Sequence, residues 1–239
     1  MTRRTTLIGT IVLVVGAVAL WARHSSSPMV NEPLVRSAQL ATPTTVEAWR
    51  AAYPSGDRPV GREAIERARS VGDAAAVRWL AELAAGDSQV GAVAGAALGG
   101  IASPGAAATL AELAAADGPV IVRANAARAL GRSGGAEQVG TLATIAAGDG
   151  EPLRVRQEAS LALGQIGDGT ATPALAAALV RAETDLSAEG EQLRISLVQA
   201  LGALGTPAAR SALVRHVEQT LSPTERAFTQ RALSPRVQR

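Results

Sequence analysis

The chain has 239 residues, with 23 basic side chains that are all Arg, 21 acidic ones, two His and no Cys. The missing Cys excludes disulfides, thiol catalysis, iron–sulfur clusters and thiolate zinc sites; two His exclude a multi-histidine metal centre; the missing Lys excludes Schiff-base chemistry and a P-loop lysine. Net charge is only +2, so the pI of about 10.2 reflects absent buffering groups between the His and Arg ranges rather than a polycationic surface.

The first predicted element is apolar. Arg3 and Arg4 precede an uncharged run over 5–22, whose helical length of roughly 27 Å approaches a hydrocarbon core of about 30 Å. Trp21 sits where an interfacial aromatic belongs, and Arg23 can snorkel. Residues 1–23 are therefore expected to form a signal anchor, a single transmembrane helix that leaves the rest of the chain exported. Ala17-Val18-Ala19 keeps a cleavable signal peptide open as the alternative. Arg3-Arg4 as a twin-arginine signal and the run as a buried core helix are weaker readings. Residues 24–45, with Ser25-Ser26-Ser27-Pro28, Pro33 and Pro43, sustain no period and read as a flexible linker.

From residue 46 onward the chain repeats itself. Val46 to Tyr53 is expected to cap the start, with Trp49 and Tyr53 four apart. The string Val122-Arg123-x-x-Ala126-x-x-Ala129-Leu130-Gly131-x-x-Gly134 returns as Val155-Arg156-x-x-Ala159-x-x-Ala162-Leu163-Gly164-x-Ile166-Gly167. It returns again as Leu193-Arg194-x-x-Leu197-x-x-Ala200-Leu201-Gly202-x-Leu204-Gly205. Decayed copies end at Gly72 and Ala102, and a partial sixth runs Arg226 to Ser234. Eight residues after each string stands a Leu: Leu80, Leu110, Leu142, Leu175 and Leu213. The apolar spacing puts Val122, Ala126, Ala129 and Leu130 on one helical face. Gly131 and Gly134 are expected to end that helix, and Pro104, Pro173 and Pro207 to open the next. Each unit is then a helix–turn–helix that buries its face only by stacking on its neighbours. The 52 Ala among 239 residues suit close helix approach and helix formation.

These strings resemble the HEAT repeat family, above all the short bacterial form associated with phycobilisome lyases; Val155-Arg156 through Ala162-Leu163-Gly164-Gln165-Ile166-Gly167-Asp168 fits its pattern almost throughout. Tetratricopeptide and ankyrin signatures are absent. The resemblance covers roughly residues 56–239 and implies an all-α, right-handed α-solenoid of about five helix–turn–helix units plus a C-terminal capping helix over 46–239, preceded by the transmembrane helix.

Function is read from the side chains. Arg123, Arg156, Arg194 and Arg226 share one repeat position, so stacking makes them a structural ladder whose guanidinium groups bridge units through carboxylates or helix-end carbonyls. Asp87, Asp117 and Asp149 stand at the preceding unit ends as caps or partners. On the second helices, Arg78, Glu82, Glu112, Thr144, Arg210 and Arg215 are the candidates to face a partner. The fifth unit is about five residues longer than the rest, and its extra residues at 181–190 read as a binding loop. His216, with Ser211 five positions away, lacks the arrangement of a catalytic base and nucleophile. HEAT-type deoxyhypusine hydroxylases carry repeated His-Glu pairs, and this sequence has none.

The expectation is a non-enzymatic, exported, membrane-tethered scaffold that binds a protein partner, with no cofactor, metal, nucleic acid or small-molecule substrate. Its place would be a bacterial inner membrane with the repeats outside the cytoplasm, or the periplasm or medium after cleavage. A bilin-lyase-like enzyme subunit or chaperone is the alternative. Nucleic-acid or anionic-surface binding comes last. It rests on residues 193–239, with seven Arg and two acids, set against 82–192, with 13 acids and six Arg.

Overall fold

A computed structural model describes residues 42–53, 61–86, 89–220 and 222–234. Twelve α-helices and no strands occur among them: α1 (Val46–Ala52), α2 (Arg62–Val71), α3 (Ala74–Ala84), α4 (Gln89–Gly99), α5 (Ala107–Ala115), α6 (Val120–Ser133), α7 (Val139–Ala147), α8 (Leu153–Ile166), α9 (Thr172–Ala182), α10 (Ala188–Leu204), α11 (Pro207–Gln219) and α12 (Pro223–Leu233). The even helices from α2 to α12 pack each on the next, and the odd helices α1 to α11 do the same. Consecutive helices also pack as pairs, so the two rows form a two-layer stack. The predicted transmembrane helix and nearly all of the linker lie outside the described residues. Among the described residues no single helix is long and apolar enough to cross a membrane.

The register Leu explains the stack. Leu80, Leu110, Leu142, Leu175 and Leu213 are all buried, one in each odd helix from α3 to α11. Leu98, Leu130, Leu163 and Leu201, from the Ala-Leu-Gly strings, face them as equally buried residues of the even helices. At the N-terminal end, Trp49 stacks on Trp79 at 5.1 Å and on Tyr53 at 5.7 Å between ring centroids. Three of the chain's few aromatics thus close the first unit where no earlier repeat covers it.

The glycines depart from expectation. Gly131 does not end its helix; it lies inside α6, as Gly164 lies inside α8 and Gly202 inside α10. A Cβ on Gly131 would meet Ala162 Cα at 3.0 Å, one on Gly164 would meet Ala200 Cα at 2.9 Å, and one on Gly202 would meet Ala232 Cβ at 2.7 Å. At Gly131, Gly164 and Gly202 the Gly therefore receives the Ala of the same string in the next unit, whereas Gly99 faces Asn125 and Arg128. Helix termination falls to the second Gly: Gly167 and Gly205 cap their helices in the left-handed region at φ +76° and +62°. Gly134 caps α6 in extended backbone instead. Pro173 and Pro207 stand in the first turns of α9 and α11, and Pro104 opens a short 3-10 turn before α5.

The long fifth unit is also built differently. The α9–α10 connection, residues 183–187, is no longer than the 148–152 connection between α7 and α8. The extra residues extend helices: α9 has 11 residues against 9 in α7, and α10 has 17 against 14 in α8. Ser187 caps the lengthened α10 by accepting from Gly190 N, so residues 188–190 are a helical turn, not loop.

Candidate functional site

The ladder Arg reaches back to the end of the preceding odd helix in each of the four units that carry it. Arg123 Nε donates to Ala114 O at 3.2 Å, Arg156 Nε to Ala146 O at 3.4 Å, Arg194 Nη1 to Ala182 O at 2.7 Å, and Arg226 Nη2 to Thr220 O at 2.9 Å. A cation there satisfies helix-end carbonyls and meets the negative end of the helix dipole. The acidic partners are graded. Arg123 pairs with Glu151 at 2.5 Å and Arg194 with the buried Glu225 at 2.7 Å. Among the described residues Arg156 forms its ion pair with Asp149, at 3.6 Å and 75% exposed. Of the three Asp expected as partners, Asp149 takes that role, and Asp87 lies outside the described residues.

The six residues expected to face a partner are all exposed on the odd helices. Arg50 binds Glu82 at 2.6 Å, and Arg78 binds Glu112 at 3.3 Å, each pair joining two successive odd helices. Thr144 donates to Gly140 O within α7, and Arg210 donates to Leu233 O. Arg215 is exposed on α11. Because both partners are solvated, Arg78→Ala is expected to change stability by less than about 1 kcal/mol in a urea melt.

Another group comes together at the lengthened unit. α10 brings Arg194 and Glu191, α11 brings His216, α12 brings Glu225, and the end of α9 brings Glu183. His216 is 1% exposed, and its Nδ1 lies 2.9 Å from Glu183 Oε1. Because a carboxylate only accepts, His216 donates through Nδ1. Its Nε2 is buried with no hydrogen-bond partner among the described residues, 3.3 Å from Glu225 Oε2. Arg194 Nε donates to Glu225 Oε1 at 2.8 Å, and Thr220 Oγ1 to Glu225 Oε2 at 2.8 Å. Arg194 Nη1 also donates to Asp185 O. Ser222 Oγ donates to Glu191 Oε1 at 2.5 Å. These residues line an open cleft of about 570 Å³, with Leu186, Ser187, Ala188 and Gln219 at its other walls. Leu186 is 89% exposed.

Burial pushes the Glu225 carboxyl up, but the hydrogen bonds from Arg194 and Thr220 and the Arg194 charge outweigh it and hold the group below its ordinary range. The sign of the linkage follows. The contribution of Glu225 to stability is complete above the unfolded carboxylate value of about 4.3, and it is lost as pH falls through the lower folded value. Urea melts between pH 6 and pH 2.5 should show falling stability at the acid end, and Glu225→Gln should lose part of that acid-dependent fall.

Family comparisons follow the same register. The model for HEAT repeats matches residues 107–193, and the model for the PBS lyase HEAT-like repeat matches residues 193–219. Residues 107–219 carry HEAT repeats. No curated protein matches it. Among solved structures, human deoxyhypusine hydroxylase in complex with glycerol is similar at 22% identity, covering 81% of this chain and 84% of that one with a TM-score of 0.44. An engineered protein is similar at 23% identity, covering 79% of this chain and 94% of that one with a TM-score of 0.47. The expectation that the chain is not an enzyme is corrected here. The repeat matched over 193–219 is named for a lyase, so the missing catalytic motifs from which non-enzymatic character was read do not carry that reading.

The HEAT register located the Arg ladder but not the cleft. Ser211, five positions before His216, is no partner of it: its Oγ donates to Pro207 O. The partners of His216 are Glu183, 33 positions before it, and Glu225, nine after it. One period of a HEAT stack is about 33 residues here, so residues one period apart were the available signal.

Proposed function

We propose that this HEAT repeat chain is a docking module, a right-handed α-solenoid exported and held at a membrane by its N-terminal segment, that binds a protein partner at the α9–α10 end. The observation that carries the reading is Leu186, 89% exposed at the rim of a 570 Å³ cleft lined by buried polar groups. A large apolar side chain held out beside a polar cleft is the form of an interface anchor. The extended ends of α9 and α10 carry this rim about 3–4.5 Å beyond the preceding helix ends, at 1.5 Å per residue. The exposed Arg50, Arg78, Glu82 and Glu112 of the N-terminal odd helices, in contrast, are taken up by their own ion pairs. The test is in-membrane crosslinking of the full chain against Leu186→Asp. Loss of the crosslinked partner with an unchanged melting curve is the expected result; full retention would remove the rim from the reading.

A second reading has the lyase-named match over 193–219 in its favour. An enzyme subunit or chaperone handling a tetrapyrrole would shift the absorbance of an added linear tetrapyrrole, and an unshifted spectrum counts against it.

A further inference from the structure

The cleft holds an unmatched set of acceptors. His216 Nδ1 is bound to Glu183, and its buried Nε2 faces Glu225 Oε2 across 3.3 Å. The walls carry three carboxylates, Glu183, Glu191 and Glu225, against one cation, Arg194. Arg194 is already committed to Glu225, Ala182 O and Asp185 O. Among the described residues the second oxygens of Glu183 and Glu191 make no hydrogen bond, since each is bound through Oε1 alone. The wall is apolar at Leu186 and Ala188.

We propose that this cleft receives the guanidinium or ammonium end of an Arg or Lys side chain presented by the docked protein, an inference that rests on the docking reading above. The N–H groups of such a cation supply donors to the open oxygens of Glu183 and Glu191, and its charge offsets the excess of carboxylates. Its aliphatic stem lies along Leu186 and Ala188.

The experiment is a calorimetric titration of the full chain with n-butylguanidinium and with its neutral isostere n-butylurea. The expected result is binding of the cation, with the urea at least tenfold weaker. The double variant Glu183→Gln/Glu191→Gln, which keeps the Arg194–Glu225 pair, should lose at least tenfold in affinity for n-butylguanidinium. Glu218→Gln, on the exposed side of α11, should stay within twofold. A blocked Ala-Arg-Ala peptide should bind at least as tightly as spermidine. Equal binding of the two isosteres, no binding of n-butylguanidinium to the folded chain, or an equal loss in Glu218→Gln would overturn the proposal. Tighter binding of spermidine than of the peptide would overturn it as well, by making the occupant a free polyamine. If the probes fail while Leu186→Asp still abolishes partner crosslinking, the cation assignment alone falls.

Discussion

Arg194→Ala is expected to destabilise the chain by about 3–5 kcal/mol, the range for removing one partner of a buried ion pair. The guanidinium ties three elements together: it binds Glu225 on α12, the last residue of α9 through Ala182 O, and the α9–α10 connection through Asp185 O. Without it a carboxylate 2% exposed is left with no Arg beside it among the described residues. Arg156→Ala occupies the same repeat position yet should cost only about 1 kcal/mol or less, because its counter-charge is 3.6 Å away and mostly solvated. Urea melts of the two variants side by side check this. Equal losses would mean that the ladder acts through the helix-end carbonyls alone and that the buried pair adds nothing.

Gly164→Val should cost about 1–3 kcal/mol by overpacking. Gly140→Ala, in contrast, should gain up to about 1 kcal/mol from helix propensity. Both glycines lie inside helices, so propensity alone favours replacement at either site. The surroundings reverse the sign at one of them. A Cβ at 164 would stand 2.9 Å from Ala200 Cα and 3.1 Å from Ala203 Cβ, so α8 and α10 must separate. A Cβ at 140 would meet nothing within 4 Å. Thermal denaturation of the two variants tests whether the Ala-Leu-Gly string is a spacing device between units. Stabilisation in both would refute it.

Much of the stack was legible because it obeys one period. The Leu at a constant offset became the buried row of the odd helices, and the recurring Arg became a row of contacts to helix-end carbonyls. Two local readings failed for physical reasons. Gly131 looked like a terminator because glycine both breaks helices and permits close approach, and only the neighbouring Ala162 decides between these uses. The five extra residues of the long unit looked like a loop because spacing counts residues without placing them; they extend α9 and α10. The cleft was the least legible part. Its members come from α9, α10, α11 and α12, and the register that places His216 beside Glu183 shows nothing of the burial that makes their charges matter.

The docking reading is tested most directly by a photoreactive residue placed singly at position 186, at position 144 on α7, or at position 78 on α3, in the full chain at its native membrane. Crosslinking from 186 to one protein, with none from 144 or 78, is the predicted result. Crosslinking of the same protein from 144 or 78 with none from 186 would place the working surface on the odd-helix face and contradict the account.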